Sequence, residues 1–232
     1  MDNIWQGVIQ SFGLIYSLDP ALYEIIWFSL FVSGVSLLFS TMVGIPLGAF
    51  LGLKQFWGRR LITALLYTGM GFPPVVVGLF VYLFLSRSGP LGDLSWLFTP
   101  NAIIVAQTII SFPLVAGFTM AAVMGVDPNL RRQLVSLGAT DWQATLAILG
   151  EARVGVVVSI IAGFGSVISE VGAVMLVGGN IEGKTRTLTT AIVLETGKGN
   201  FDLAIALGVI LLLITFFINL AMIRLQGKDF SR

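Results

Sequence analysis

The chain has 232 residues, 56% of them hydrophobic and 11% charged, with a mean hydropathy of +0.95; an ordinary soluble chain carries about 25% charged residues, so a soluble globular domain is excluded. A net charge of +1 leaves no strong field for nucleic acid. Cysteine and histidine are both absent, which excludes disulfides, thiolate chemistry, imidazole acid–base catalysis and the commonest metal ligands.

What remains is an all-α fold, a polytopic transmembrane helix bundle whose elements follow in chain order. The opening Met1-Asp2-Asn3 has neither a basic nor an apolar region of the kind found in cleavable signals, so the spans are expected to direct their own insertion. Ile4 to Tyr16 places apolar residues at near-helical spacing but is too short to span, and reads as an interfacial helix. Asp19-Pro20 is an N-cap followed by proline at the first helical position. Ala21 to Leu53 exceeds the ~30 Å hydrocarbon core at ~1.5 Å per residue, with Gly44-Ile45-Pro46-Leu47-Gly48 as the expected bend.

A second span, Leu61 to Leu85, is interrupted by Gly71-Phe72-Pro73-Pro74, where the lost hydrogen bonds require burial against protein. A turn-rich loop, Ser86 to Thr99, leads to a third span from Asn101 to Met124 with a kink expected at Pro113. The fourth span is Val154 to Val177, a polar stretch covers Gly178 to Asn200, and the fifth runs from Leu203 to Ile223. Trp5, Trp27, Trp57 and Trp96 fall near predicted interfaces, as belt residues do. The domain division is an N-terminal segment 1–20, a transmembrane domain 21–226 and a tail 227–232.

Alternating spans put Lys54, Arg59, Arg60, Arg131, Arg132, Arg153, Arg224, Lys228 and Arg232 on one face, nine of the thirteen basic residues. Arg87, Lys184, Arg186 and Lys198 fall on the other. The positive-inside rule makes the richer face cytoplasmic, with the N-terminus outside and the C-terminus inside.

The longest polar stretch between spans, 127–153, lies on that cytoplasmic face. It reads as a helix after Asp127-Pro128, a break at Gly138, and a second helix capped by Asp141 and starting at Trp142. Such a helical elbow suits a membrane subunit that is pushed by a soluble partner. This stretch resembles the coupling loop of ABC importer permeases, whose pattern is E-A-A-x-x-x-G followed by I-x-L-P. Gly138 takes the glycine position and Ile148 the isoleucine, while Arg132-Gln133-Leu134 replace E-A-A and Gly150-Glu151 replace the closing residues. Gly44 to Gly48 is similar to a G-x-P-L-A segment of these permeases, and Pro73-Pro74 and Ser88 to Gly92 match their next helix and loop. Ser169 to Ala173 is similar to the S-E-F-G-A of molybdate permeases, and Gly178 to Ile181 with Thr185 to Ile192 resembles the tungstate branch.

The resemblance implies a prokaryotic inner-membrane subunit that forms a homodimer in lipid. Two cytoplasmic ATPase subunits hold the ATP and magnesium, with no cofactor on this chain, and an extracytoplasmic binding protein delivers the oxyanion. Tungstate is the implied cargo, with molybdate, sulfate and phosphate as alternatives. Leu137, Gly138, Ala139, Thr140, Asp141 and Trp142 are the expected ATPase-docking residues. Ser169, Glu170 and Asn180 are candidates for the pathway or gate.

Four residue patterns have a plain reading beside the functional one. Glu170 lies ~25 Å along the fourth helix from Arg153. It serves either as a gate or as a structural acid bonded to Ser166, Ser169, a neighbouring helix or a loop cation, because a carboxylate repels an anionic cargo. Lys184 and Arg186 either attract an anion, meet the binding protein, or stay solvated. Ser111, Thr119 and Ser159 either line the path or bond their own helix backbones. Gly178 to Thr185 fits G-x-x-x-x-G-K-T, but a membrane helix stands where a phosphate-binding loop needs a strand. A stand-alone channel or secondary transporter lacks support, since no charge relay or inverted repeat is visible.

Overall fold

In a bilayer, backbone amides and carbonyls must find partners within the protein, so long apolar segments fold as helices. The computed structural model describes residues 20–225 together with Ile9, Phe12, Gly13 and Tyr16. The remainder of the expected interfacial segment Ile4–Tyr16, Trp5 included, and the tail 227–232 lie outside the described residues.

Ten α-helices occur among the described residues, and no strand. They are α1 (Pro20–Leu53), α2 (Arg59–Met70), α3 (Pro74–Leu85), α4 (Pro100–Met124), α5 (Pro128–Ser136), α6 (Asp141–Glu151), α7 (Arg153–Ile168), α8 (Gly172–Gly178), α9 (Leu188–Gly197) and α10 (Phe201–Leu225). Helices α3, α4 and α5 each begin with proline at the first position, where its missing N–H has no intrahelical partner to lose. By length and composition α1, α4 and α10 cross a membrane, with up to five crossings when bent helix pairs are counted.

Helix α4 is the mast of the bundle. Along α1, Ser36, Ser40, Gly44, Gly48 and Gly52 recur every fourth residue, so one face carries nothing larger than a hydroxyl. That face lies on α4 in parallel register. Ser36 donates to Gln107 Oε1 (3.1 Å), Ser40 bonds Ser111, Gly44 meets Val115, and Gly52 meets Val123. Helix α7 runs the opposite way, with Gly155 against Ala122, Ser159 bonded to Thr119 (3.0 Å) and Gly163 against Val115. Gln107 then donates to Val167 O (3.0 Å). Helix α8 continues in the same direction, Gly178 reaching Ile103. Helix α2 climbs from Met124 to Pro113, and α3 packs Val77, Val81 and Leu85 on the other end of α4. Helix α10 runs parallel to α1, from Leu207 beside Leu22 to Met222 in the cluster of Leu37 and Val115.

Crossing segments therefore alternate in direction as expected, but two details differ. Helix α1 is continuous through Pro46 and α4 through Pro113, and Gly44 and Gly48, which flank Pro46, pack closely on α4. The expected fourth span, Val154–Val177, is not one helix. Helix α7 has 16 residues, or about 24 Å, short of the hydrocarbon core, and α8 follows only after a break at 169–171. The stretch 178–200 contains α9, whose Leu188 and Ala191 are buried with Leu22 and Leu207. Its threonines look polar in sequence because they form the helix cap. The expected interruption at Gly71-Phe72-Pro73-Pro74 is present, with α3 turned 100° from α2.

A Cβ on Gly48 would lie 2.8 Å from Thr119 Cβ and 3.0 Å from Met120 N, whereas one on Gly34 meets nothing within 4 Å. Gly48→Leu is expected to destabilise the protein by about 1–3 kcal/mol, read as a lowered thermal midpoint in detergent. Gly34→Leu is expected to leave that midpoint unchanged.

Candidate functional site

The elbow between α4 and α7 is built by local rules. Asp127 caps α5 by accepting from Asn129 N (2.9 Å). At the other end Gly138 N bonds Val135 O and Ala139 N bonds Leu134 O, both at 3.0 Å, the two bonds of a Schellman turn. Gly138 has φ +91°, a conformation that penalises any side chain. Thr140, not Asp141, caps α6. Its hydroxyl accepts from Gln143 N (3.3 Å) while Gln143 Oε1 accepts from Thr140 N (2.8 Å).

Asp141 instead occupies the first turn and bridges two cations, Lys54 Nζ at 3.1 Å and Arg131 Nη2 at 2.6 Å. It thereby ties α6 to the foot of α1 and to α5. The hydrogen-bonded Lys54 ammonium, with Arg131 beside it, holds the Asp141 carboxyl below its ordinary value. Beneath the elbow Ile148 and Ala152 are buried with Ala49 of α1 and Val123 of α4. Ala152 caps both α6 and α7, which meet at 71°. Of the six expected docking residues, Leu137 and Trp142 present exposed apolar side chains, 85% and 69% accessible.

The second constellation lies at the break between α7 and α8. Glu170 is buried, and its Oε1 accepts from Ala173 N (2.8 Å), so the acid caps α8. Ser166 and Ser169, the expected side-chain partners, do not hold it: Ser169 is exposed and donates to Gly165 O (2.6 Å). The Glu170 carbonyl accepts from Thr189 Oγ1 (2.9 Å) at the start of α9. Asn180, in a left-handed turn at φ 50°, points its amide at Thr190 O (3.5 Å). Glu170 and Asn180 thus meet the same first turn of α9, while Ser169 does not join them.

That first turn is a hydroxyl cluster overlooked in the sequence. Thr187, Thr189 and Thr190 are buried, bonded to one another, and Leu188 N is bonded to Ser29 Oγ (2.8 Å) of α1. Gln107 and Ser36 were overlooked as well. The four-residue spacing of serines in α1 is the signal that reveals them. Ser111, Thr119 and Ser159 bond across helices, and Ser111 and Ser159 also bond their own backbones. Trp96, expected in an interfacial belt, packs on the cluster formed by α3, α4 and α8. The P-loop-like stretch closes on itself, since the Thr185 hydroxyl donates to Gly178 O (2.6 Å) and accepts from Ile181 N (3.0 Å). No strand precedes it among the described residues.

Residues 44–228 match the family of the binding-protein-dependent transport system inner membrane component. The chain belongs to that family. The permease is 41% identical over 228 residues to the tungstate uptake system permease protein of Peptoclostridium acidaminophilum, covering 98% of this chain and 100% of that one. It is 43% identical over 209 residues to a probable anion ABC transporter permease protein of Haloferax volcanii, covering 88% and 90%. Its fold is similar to that in the inward-facing structures of the MetNI methionine ABC transporter, with a TM-score of 0.72 at 20% identity over 90% of this chain and 96% of that one. The sequence resemblance to ABC importer permeases and the all-α transmembrane architecture are thereby confirmed. The permease is a transport subunit of the inner membrane.

Two outcomes follow from the geometry. Glu170→Ala strips the Ala173 amide of its buried acceptor and is expected to destabilise the permease by about 1–3 kcal/mol. Glu170→Gln keeps an acceptor oxygen and is expected to unfold close to wild type. At the elbow, the Asp141 bridge stabilises the fold above the ordinary carboxylate value of 3.8 and is lost as pH falls through the depressed one. Asp141→Asn reproduces the protonated state at neutral pH. It is expected to speed amide hydrogen exchange across 129–137, where wild type speeds up only in acid after correction for intrinsic rates.

Proposed function

We propose that the permease works as one of two copies in an ATP-driven importer of an oxyanion, with tungstate the cargo. ATP and magnesium bind two partner ATPase subunits in the cytoplasm, and an extracytoplasmic binding protein delivers the anion. The near full-length identity with a tungstate uptake permease supports the cargo, and the identity with an anion permease supports its class. Orientation rests on charge: the end of the bundle that carries the elbow also carries Lys54, Arg59, Arg60, Arg131, Arg132 and Arg153. The positive-inside rule makes that end cytoplasmic, placing the start of α1 outside and the end of α10 inside.

The observation that carries the coupling role is the pairing of exposed Leu137 and Trp142 on a rigid turn. Apolar side chains held out by a Schellman glycine and a capping box form a docking knob. A push on α6 reaches α7 through Ala152 and reaches the feet of α1 and α4 through Ile148. At the far end of α7 lies the break that Glu170 and Thr189 hold, which is the gate in this reading. A neutral path lined by hydroxyls suits a dianion that must be released, because a fixed cationic site would retain it.

The test uses the permease assembled with its ATPase and binding protein in vesicles. A side chain at Gly138 meets no atom within 4 Å, so Gly138→Val acts through the backbone of the turn alone. This variant strains the turn and is expected to abolish substrate-stimulated ATP hydrolysis while the bundle keeps its wild-type helical content and still assembles with its partners. Stimulation equal to wild type sinks the docking assignment. Calorimetric titration of the binding protein is expected to show tighter tungstate than molybdate; the reverse order reassigns the cargo.

A further inference from the structure

Two cavities lie side by side against α1. The larger, about 910 Å³, is a groove between α1, the α2–α3 turn and α4, walled by Phe31, Val35, Phe39, Ile104 and Phe112. Phe31 also lines the second cavity, of about 390 Å³, and Pro100 in the second adjoins Asn101 in the first. Phe31 thus stands between the apolar groove and a smaller chamber, itself largely apolar, that carries three charged side chains.

That chamber holds Lys184, Arg186 and Glu24, with Trp27 at its side. Trp27 is exposed, as tryptophans at a membrane interface are. The Arg186 side chain is 17% accessible; its Nη1 lies 3.2 Å from Glu182 Oε2, and its Nε–H has no acceptor among the described residues. A Cβ on Gly183 would lie 3.7 Å from Glu24 Oε1, so the Glu24 carboxylate borders the loop that carries both cations.

Two cations and two acids at one place are a poor match for a simple anion, because the acids oppose it. They match a zwitterion, with a phosphate facing Lys184 and Arg186 and an ammonium facing Glu24, while Glu182 pairs with Arg186 from outside the chamber. The adjacent apolar groove adds a place for hydrocarbon. We propose that this composite cavity binds an amine-bearing zwitterionic phospholipid of the phosphatidylethanolamine type, headgroup in the chamber and acyl chain in the groove. A choline headgroup has no N–H to donate to Glu24, and a glycerol headgroup offers the acids no charge. The proposal goes beyond the transport reading and needs only that the chain sits in a bilayer.

Native mass spectrometry of the delipidated full chain tests it, with phosphatidylethanolamine, phosphatidylcholine and phosphatidylglycerol of identical acyl chains. Phosphatidylethanolamine is expected to be retained about tenfold better than either, the equivalent of one charge-assisted hydrogen bond. Glu24→Gln, at an exposed position, is expected to erase the preference over phosphatidylcholine without weakening phosphatidylcholine itself. Arg186→Gln is expected to weaken all three, and Val35→Trp, which fills the groove, to do the same with the headgroup chamber intact. Circular dichroism checks that each variant is folded. Equal retention of the three lipids, or a preference for phosphatidylglycerol, overturns the proposal. So does phosphoethanolamine without acyl chains binding as tightly as the lipid, or a second copy of the chain displacing lipid from the groove.

Discussion

The close approach of α1 to α4 sets the register of everything else. Lipid tails are as apolar as leucine, so two membrane helices gain little by simply burying hydrocarbon against each other and must pack backbone on backbone. Gly44, Gly48 and Gly52 allow it, and Ser36 and Ser40 add bonds to Gln107 and Ser111. Once α4 is fixed against α1, the remaining surface of α4 is divided between α2 and α3 on one side and α7 and α8 on the other. Gln107 then acts in three helices at once, accepting from α1 and donating to the carbonyl of Val167. That carbonyl lies at the end of α7, where the helix has just lost its own donors.

Breaks in the crossing segments are tolerated for the same reason. At the α7–α8 break, Val167 O takes Gln107 and Glu170 N, the Glu170 carbonyl takes Thr189, and the Glu170 carboxylate takes Ala173 N. Every one of those bonds is made inside protein, as an irregular backbone at membrane depth requires. Several of them come from neighbouring helices rather than from the broken segment itself. The geometry of the break therefore depends on where α4 and α9 stand. By contrast, the elbow is closed by local bonds, the Schellman turn and the capping box.

This difference explains what was legible in the sequence. Local devices were readable: Asp127-Pro128 opened a helix, Gly138 ended it, and Pro73-Pro74 broke the second crossing. The cap of α6 was misplaced by one residue because Thr140 and Asp141 are both good capping residues, and Asp141 is engaged by Lys54 and Arg131 instead. Non-local roles were less legible. Glu170 looked like a lone acid on a continuous helix, since nothing in 153–178 announces that the ladder fails at Ser169. Helix α9 was hidden because Thr187, Thr189 and Thr190 read as polar loop until their hydroxyls are seen turned inward on one another and on Glu170. The serine stripe in α1 was visible in principle, because a four-residue spacing needs no tertiary knowledge.

Charge is distributed along the same division between rigid and adjustable parts. Asp141 sits in water between two cations, where each ion pair contributes little to stability but fixes a direction, tying the elbow to the foot of α1. Glu170 sits in the bundle with a carboxyl oxygen accepting from a helix amide, and the hydroxyls near it belong to Thr187, Thr189 and Thr190. A carboxylate held this way adds no free cation to trap an anion, and its repulsion is reduced by the helix end it caps. On the transport reading proposed above, the path meets hydroxyl donors where the helices break and cations only towards the two membrane surfaces. In that reading no cation holds the anion midway, and the elbow is where a partner's push enters.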